Sequence, residues 1–131
     1  MSVSMIILRK IVYIKVYRGY LIARTIGQNN EQRFNCNGMT HPRTLVGELP
    51  EIKETFRACI QEQPNSLFGL MRPKVIIHLL VQAEGGYTEE ERRALWEAAK
   101  FGGGIDPFLI SNCNQPLSDE DVRSLMFGSL D

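Results

Sequence analysis

The sequence predicts one α/β domain over residues 1–131, a five-stranded mixed sheet whose elements run βββαβαβα. Three observations carry that reading. The early residues alternate with a period of two, and later segments switch to three- and four-residue spacing. The run Lys74-Val75-Ile76-Ile77-His78-Leu79-Leu80-Val81 is almost wholly apolar, rich in β-branched residues and flanked by Pro73 and Gly85-Gly86, as a strand buried on both faces would be. The 131 residues are 44% hydrophobic and 23% charged, enough for one core and unlike a disordered chain.

Val12, Ile14 and Val16 alternate with Ile11, Tyr13, Lys15 and Tyr17, which predicts the first strand. Arg18-Gly19 turns the chain, and Tyr20 to Ile26 returns as the second arm of a hairpin. Gln32 to Cys36 is a shorter, more polar strand suited to an edge. Leu45, Leu49, Ile52, Phe56 and Ile60 make one apolar stripe, so a helix runs to Gln63 from Leu49, or from Thr44 at the earliest. Pro50 fits only its first turn, and Pro64-Asn65 stops it. After the Lys74–Val81 strand, Thr88 with Glu91 forms a capping box, Leu95, Ala98 and Ala99 face inward, and Gly102-Gly103-Gly104 ends the helix in a left-handed cap. Phe108-Leu109-Ile110 is a short last strand. Ser118 with Asp121 caps a final helix through Val122, Leu125 and Met126.

Fifteen basic and fifteen acidic residues give zero formal charge, which argues against nucleic acid or an anionic membrane as the main partner. Cys36, Cys59 and Cys113 are an odd set without close spacing, read as reduced thiols in a cytoplasmic protein. No stretch approaches the ~18 apolar residues of a membrane span. The N-terminal apolar run is too short for a signal peptide, and its Arg9-Lys10 follows that run instead of preceding it.

From Arg72 to Ile110 the order is specific: Arg72-Pro73, a hydrophobic strand, Thr88 with Glu89-Glu90-Glu91-Arg92-Arg93-Ala94, Ala98-Ala99, a glycine, then Phe108-Leu109-Ile110. This resembles the bacterial actin homologues that determine rod shape (MreB), over about forty residues. The resemblance implies a ribonuclease H-like topology, the half-domain repeated in actin-like proteins. The departures bear on function. Those ATPases carry an Asp-x-Gly-Thr phosphate loop, where this hairpin reads Lys15-Val16-Tyr17-Arg18-Gly19-Tyr20. Their Pro-x-Gly is replaced by Gln82-Ala83-Glu84-Gly85-Gly86, and their Glu-Pro by Ser111-Asn112-Cys113-Asn114. Only one half of the two-part fold is represented, so neither nucleotide nor any other cofactor is expected.

The candidate site residues divide into two sets. Ribonuclease H-like nucleases need several carboxylates around divalent ions, one on the first strand; residues 1–30 hold no Asp or Glu. His78 reads as a metal ligand or base, or more plainly as a bonded neutral imidazole. His41 with Cys36 makes a Cys-x4-His without a second pair for zinc. Cys113 lacks an identifiable base. Gly102-Gly103-Gly104 follows a helix instead of preceding one, so it is a turn and not a phosphate cradle. Lys10, Lys15, Arg18 and Arg24 share a hairpin with Tyr13, Tyr17 and Tyr20, which suits stacked nucleic acid or, more plainly, a partner-facing sheet. The preferred expectation is a bacterial protein-interaction module without catalysis. It docks on another protein or on itself through Tyr13, Tyr17, Tyr20 and the first-strand edge, with a homodimer through the hairpin edge. The alternative is a small-ligand binder or enzyme using His78, Cys113 or His41 at the C-terminal strand ends, where open α/β sheets bind ligands.

Overall fold

The alternating run Ile11–Tyr17 forms β1, and Arg18-Gly19 reverses the chain into β2, Tyr20–Thr25. Gly19 holds φ 86°, a left-handed conformation that a side chain would resist. The structure, a computed structural model, describes residues 10–39, 48–63, 72–81 and 86–127. β3 is Gln32–Asn35, followed by a 3-10 turn over Asn37–Met39. The remaining elements are α1 Leu49–Gln61, β4 Lys74–Leu79, α2 Glu89–Phe101, β5 Ile105–Ile110 and α3 Asp119–Phe127. The fold is α/β, with a five-stranded mixed sheet and three helices.

Strands lie in the order β3-β2-β1-β4-β5. β1 is antiparallel to β2 and parallel to β4, with Val12 opposite both Thr25 and Val75. β4 is parallel to β5, and β2 is antiparallel to β3. This corrects the expected contact edge. The first strand is central and paired on both sides, and β3 closes the outer side of β2, so neither hairpin strand has a free edge. Among the described residues the outermost strands are β3 and β5. The reason lies in β4, whose two buried faces require a central position; it sits between β1 and β5.

Val12, Ile14 and Val16 face one side of the sheet, where α1 and α2 cover them with Ile52, Phe56, Cys59, Leu95, Ala98 and Ala99. Tyr13 and Ile76 face the other side with Ile110, beneath Val122 of α3. Thr88 and Glu91 exchange both capping-box bonds at the start of α2. Ser118 and Asp121 do the same before α3.

Two glycines mark close approaches. A Cβ on Gly104 would lie 2.5 Å from Val75 Cγ2, and one on Gly102 would lie 3.0 Å from the Arg57 backbone. Gly102 itself is helical (φ −73°), and the left-handed residue is Gly103 (φ 111°). β5 starts at Ile105, earlier than the expected Phe108. Pro107 is tolerated because β5 is an edge strand, and the register shifts between Lys74 and Ile76 beside Asp106, whose φ is 41°. Among the described residues, no helix is long and apolar enough to cross a membrane.

Candidate functional site

β4 places His78 on the face that α3 covers, opposite Lys15 of β1 and Ile110 of β5. The ring is fully buried. Its Nε2 lies 2.7 Å from the Cys113 carbonyl oxygen and its Nδ1 2.6 Å from Tyr13 Oη. A carbonyl only accepts, so Nε2 carries the proton and donates. The neutral ring then accepts at Nδ1 from the Tyr13 hydroxyl, which itself accepts from the Leu117 N–H at 3.0 Å. Both ring nitrogens of His78 and the Tyr13 hydroxyl between them thus have partners. Burial pushes the His78 pKa below its ordinary value, against the opposing effect of the Cys113 bond, and keeps the ring neutral.

Tyr13 is therefore corrected as a surface contact: it has no exposed surface, and its hydroxyl is bonded on both sides. The Arg24 guanidinium lies 4.9 Å from its ring centroid. Arg24 Nε and Nη2 donate to Asp119 Oδ1 at 3.0 and 2.8 Å, and the Gly27 N–H donates to Oδ2 at 2.7 Å. Partial burial alone would raise the Asp119 pKa, but the Gly27 N–H and Arg24 together hold it below its usual value. These bonds fasten the start of α3 to the sheet. Lys15 Nζ pairs with Glu31 at 2.8 Å, and that hydrogen bond holds the Glu31 carboxyl low. Two of the hairpin's cations are thus neutralised within the chain, which weakens a nucleic-acid role for it.

Beyond α3 on the same face, Tyr17 and Tyr20 form the last cross-strand pair of the hairpin. Their rings stack at 4.9 Å between centroids with 12° between planes. Arg33 of β3 lies 3.8 Å from the Tyr20 centroid. Both tyrosines are half-buried and Arg33 is exposed. The three side chains make a pre-ordered aromatic and cationic surface on a sheet, where rotamer freedom is already low.

Cys113 is half-buried, with Sγ 3.5 Å from the Gln115 carbonyl. The imidazole beside it is bonded to its carbonyl oxygen, while the thiol is directed to Gln115. Cys36 and Cys59 are buried, and burial pushes the Cys59 thiol far above its ordinary pKa. His41 lies outside the described residues. Among the described residues, no three His, Cys, Asp or Glu side chains converge as metal ligands. At the C-terminal ends of β4 and β5 a cavity of about 370 Å³ opens, lined in part by Tyr87, Arg92, Ser111, Asn112, Cys113 and Asn114.

No family model matches the chain, and no curated protein matches it.

The sequence reading misses Glu31 and Asp119 as ion-pair partners, because pairing over tens of residues has no local signature. It also misses Arg92, although a signal exists. Arg92, Leu95 and Ala99 recur on one helix face, so a cation stands at the head of a buried stripe.

Proposed function

We propose that the chain is a non-catalytic protein-interaction module, an actin-like half-domain of ribonuclease H-like topology that works in cytoskeletal or cell-shape assembly in the bacterial cytoplasm. It docks on a second copy of itself or on another protein, without nucleotide. The carrying observation is the Tyr17–Tyr20–Arg33 stack on the part of the sheet that α3 leaves uncovered. Tyr and Arg are the residue types enriched at interface centres. An antiparallel meander joined to parallel β4 and β5 supports the topology that the MreB resemblance implies. Two bonded ring nitrogens on His78 weigh against its use as a base.

Light scattering at high micromolar concentration tests the docking face. The wild type is expected to be a dimer that Tyr17→Ala or Tyr20→Ala weakens by about 30-fold or more, the equivalent of ~2 kcal/mol. A monomer would reject the second copy as occupant. A saturable rise in melting temperature with ATP and magnesium would overturn the non-nucleotide reading. One observation favours a second reading, a small-ligand site at the C-terminal strand ends: the cavity beside Cys113.

A further inference from the structure

We infer that the cavity at the C-terminal ends of β4 and β5 binds a small organic anion, a carboxylate or phosphate with polar substituents, through Arg92. The inference rests on the small-ligand reading of this cavity and is independent of the docking face.

Charge distribution is the first ground. Arg92 is the one charged side chain among the described residues that line the cavity. It is half-buried, and it has no hydrogen-bond or ion-pair partner among the described residues. Two cations on the α3 side of the sheet differ, the buried Lys15 and the half-buried Arg24. Lys15 pairs with Glu31, and Arg24 with Asp119. Glu89 and Glu97 border a neighbouring hollow that Arg92 also lines, but neither pairs with it. A guanidinium withdrawn from bulk water and lacking a carboxylate presents its N–H fork to an incoming anion, which it can take by two parallel bonds.

The second ground is the rest of the lining. Ser111, Asn112 and Asn114 supply hydroxyl and amide groups that donate and accept, while Leu79 and Val81 supply apolar surface. A few polar groups over an apolar base are the usual make-up of a small-molecule site, and the volume lies at the low end of roughly 300–1,000 Å³. The walls are also fixed from behind. His78 Nε2 holds the Cys113 carbonyl from beneath, and the Tyr87 hydroxyl donates to the Val81 carbonyl.

Cys113 provides the readout, since it lines the cavity while Cys36 and Cys59 are buried. The rate of iodoacetamide alkylation at Cys113 is followed by peptide mass spectrometry at constant ionic strength. Acetate and inorganic phosphate are titrated against chloride, so that a planar head group is told from a tetrahedral one. At least one of them is expected to slow alkylation saturably, by threefold or more. Arg92→Gln should abolish that protection without lowering the melting temperature. If Arg92→Gln does not fold, Arg92→Lys serves instead: it keeps the charge, loses the fork and should lose most of the protection. Protection by neither anion, or equal protection in the Arg92 variants, overturns the proposal. Acetamide is the neutral control. If it protects as well as acetate, the cavity remains a ligand site but the anion assignment falls; if none of the three protects, both fall.

Discussion

Neighbouring residues of β1 enter two different environments. Val12, Ile14 and Val16 meet α1 and α2 in a largely apolar layer, with the bonded Thr25–Gln63 pair at its margin, and there contact and area decide the packing. Tyr13, Lys15 and Tyr17 meet a face that one short helix half-covers, where hydrogen bonds and ion pairs decide it. The first face needs matched shape alone, as the close approach of Gly104 to Val75 shows. On the second, each polar atom needs a partner of the right kind at the right place, because a buried unpaired group costs more than a bond returns. Function is therefore more readily built on the second face, where aromatic and charged groups are already held in fixed geometry. The variants below test that contrast, beginning with the apolar face.

Phe56 is fully buried between α1 and the sheet. Phe56→Ala should destabilise the fold by about 3–5 kcal/mol, the transfer loss plus a cavity. Urea denaturation checks it. A loss below about 1 kcal/mol would mean that the α1 layer is loosely packed and that the contrast between the faces is overstated.

Tyr13→Phe removes one oxygen atom and almost no volume from the second face. It leaves the Leu117 N–H and His78 Nδ1 without their partner. The expected loss is about 1–3 kcal/mol, measured by the same denaturation. On the apolar face the loss of one methyl group, as in Ile52→Val, should cost about 0.5–1.5 kcal/mol. A variant as stable as the parent would show that water replaces the hydroxyl, and that α3 is held by Arg24 and Asp119 alone.

The two faces were unequally legible in the sequence. The apolar face follows from periodicity, since Ile52, Phe56 and Ile60 on one stripe and Val12, Ile14 and Val16 on one strand face specify their own burial. The strand around His78 was legible for the same reason, as were the two helix caps, whose partners sit three residues apart. The second face depends on distant pairs. Nothing near Tyr13 announces Leu117, 104 residues away, and nothing near Arg24 announces Asp119. Alternation placed Tyr13 with Tyr17 and Tyr20 on one face, but it could not say where α3 would end. The helix buries Tyr13 and stops short of the other two. Spatial strand order was likewise beyond local pattern, because the neighbour of β1 is chosen by the return of a crossover.

The third test sharpens the polar face by pH. The His78 pKa in the fold lies below its ordinary 6.5. Below pH 6.5 the unfolded chain therefore binds a proton that the native ring refuses. Stability should be full above pH 6.5 and fall as the pH drops towards the folded value, by at most ~1.4 kcal/mol per pH unit for one group. Glu31 and Asp119 are held low, so their contributions are lost only below their ordinary 4.5 and 3.8. Between pH 6.5 and about 5 the His78 slope should thus stand apart from theirs. Gln can donate to Cys113 and accept from Tyr13 without titrating, so His78→Gln should flatten that slope whatever its absolute stability. Denaturation at pH 7.5, 6 and 5 decides it. Equal slopes in both proteins would mean that His78 is not the neutral buried donor described.

The smallest effect belongs to the uncovered end of the same face. The guanidinium of Arg33 lies over Tyr20, and Tyr17 stacks beneath, but Arg33 is exposed and both rings keep contact with water. Exposed cation–π contacts contribute about 0.5–1 kcal/mol. A double-mutant cycle with Tyr20→Ala and Arg33→Met should therefore return a coupling near 0.5 kcal/mol in folding, well under the loss from Tyr13→Phe. The difference follows from solvent: at Tyr13 removal of a hydroxyl strands two buried groups, whereas at Tyr20 water takes the place of each lost contact. If the pair serves docking, the same cycle measured on association should give a larger coupling than on folding, because a partner would exclude that water. Equal couplings in both measurements would make the stack a local brace of the hairpin and remove its claim to be an interface.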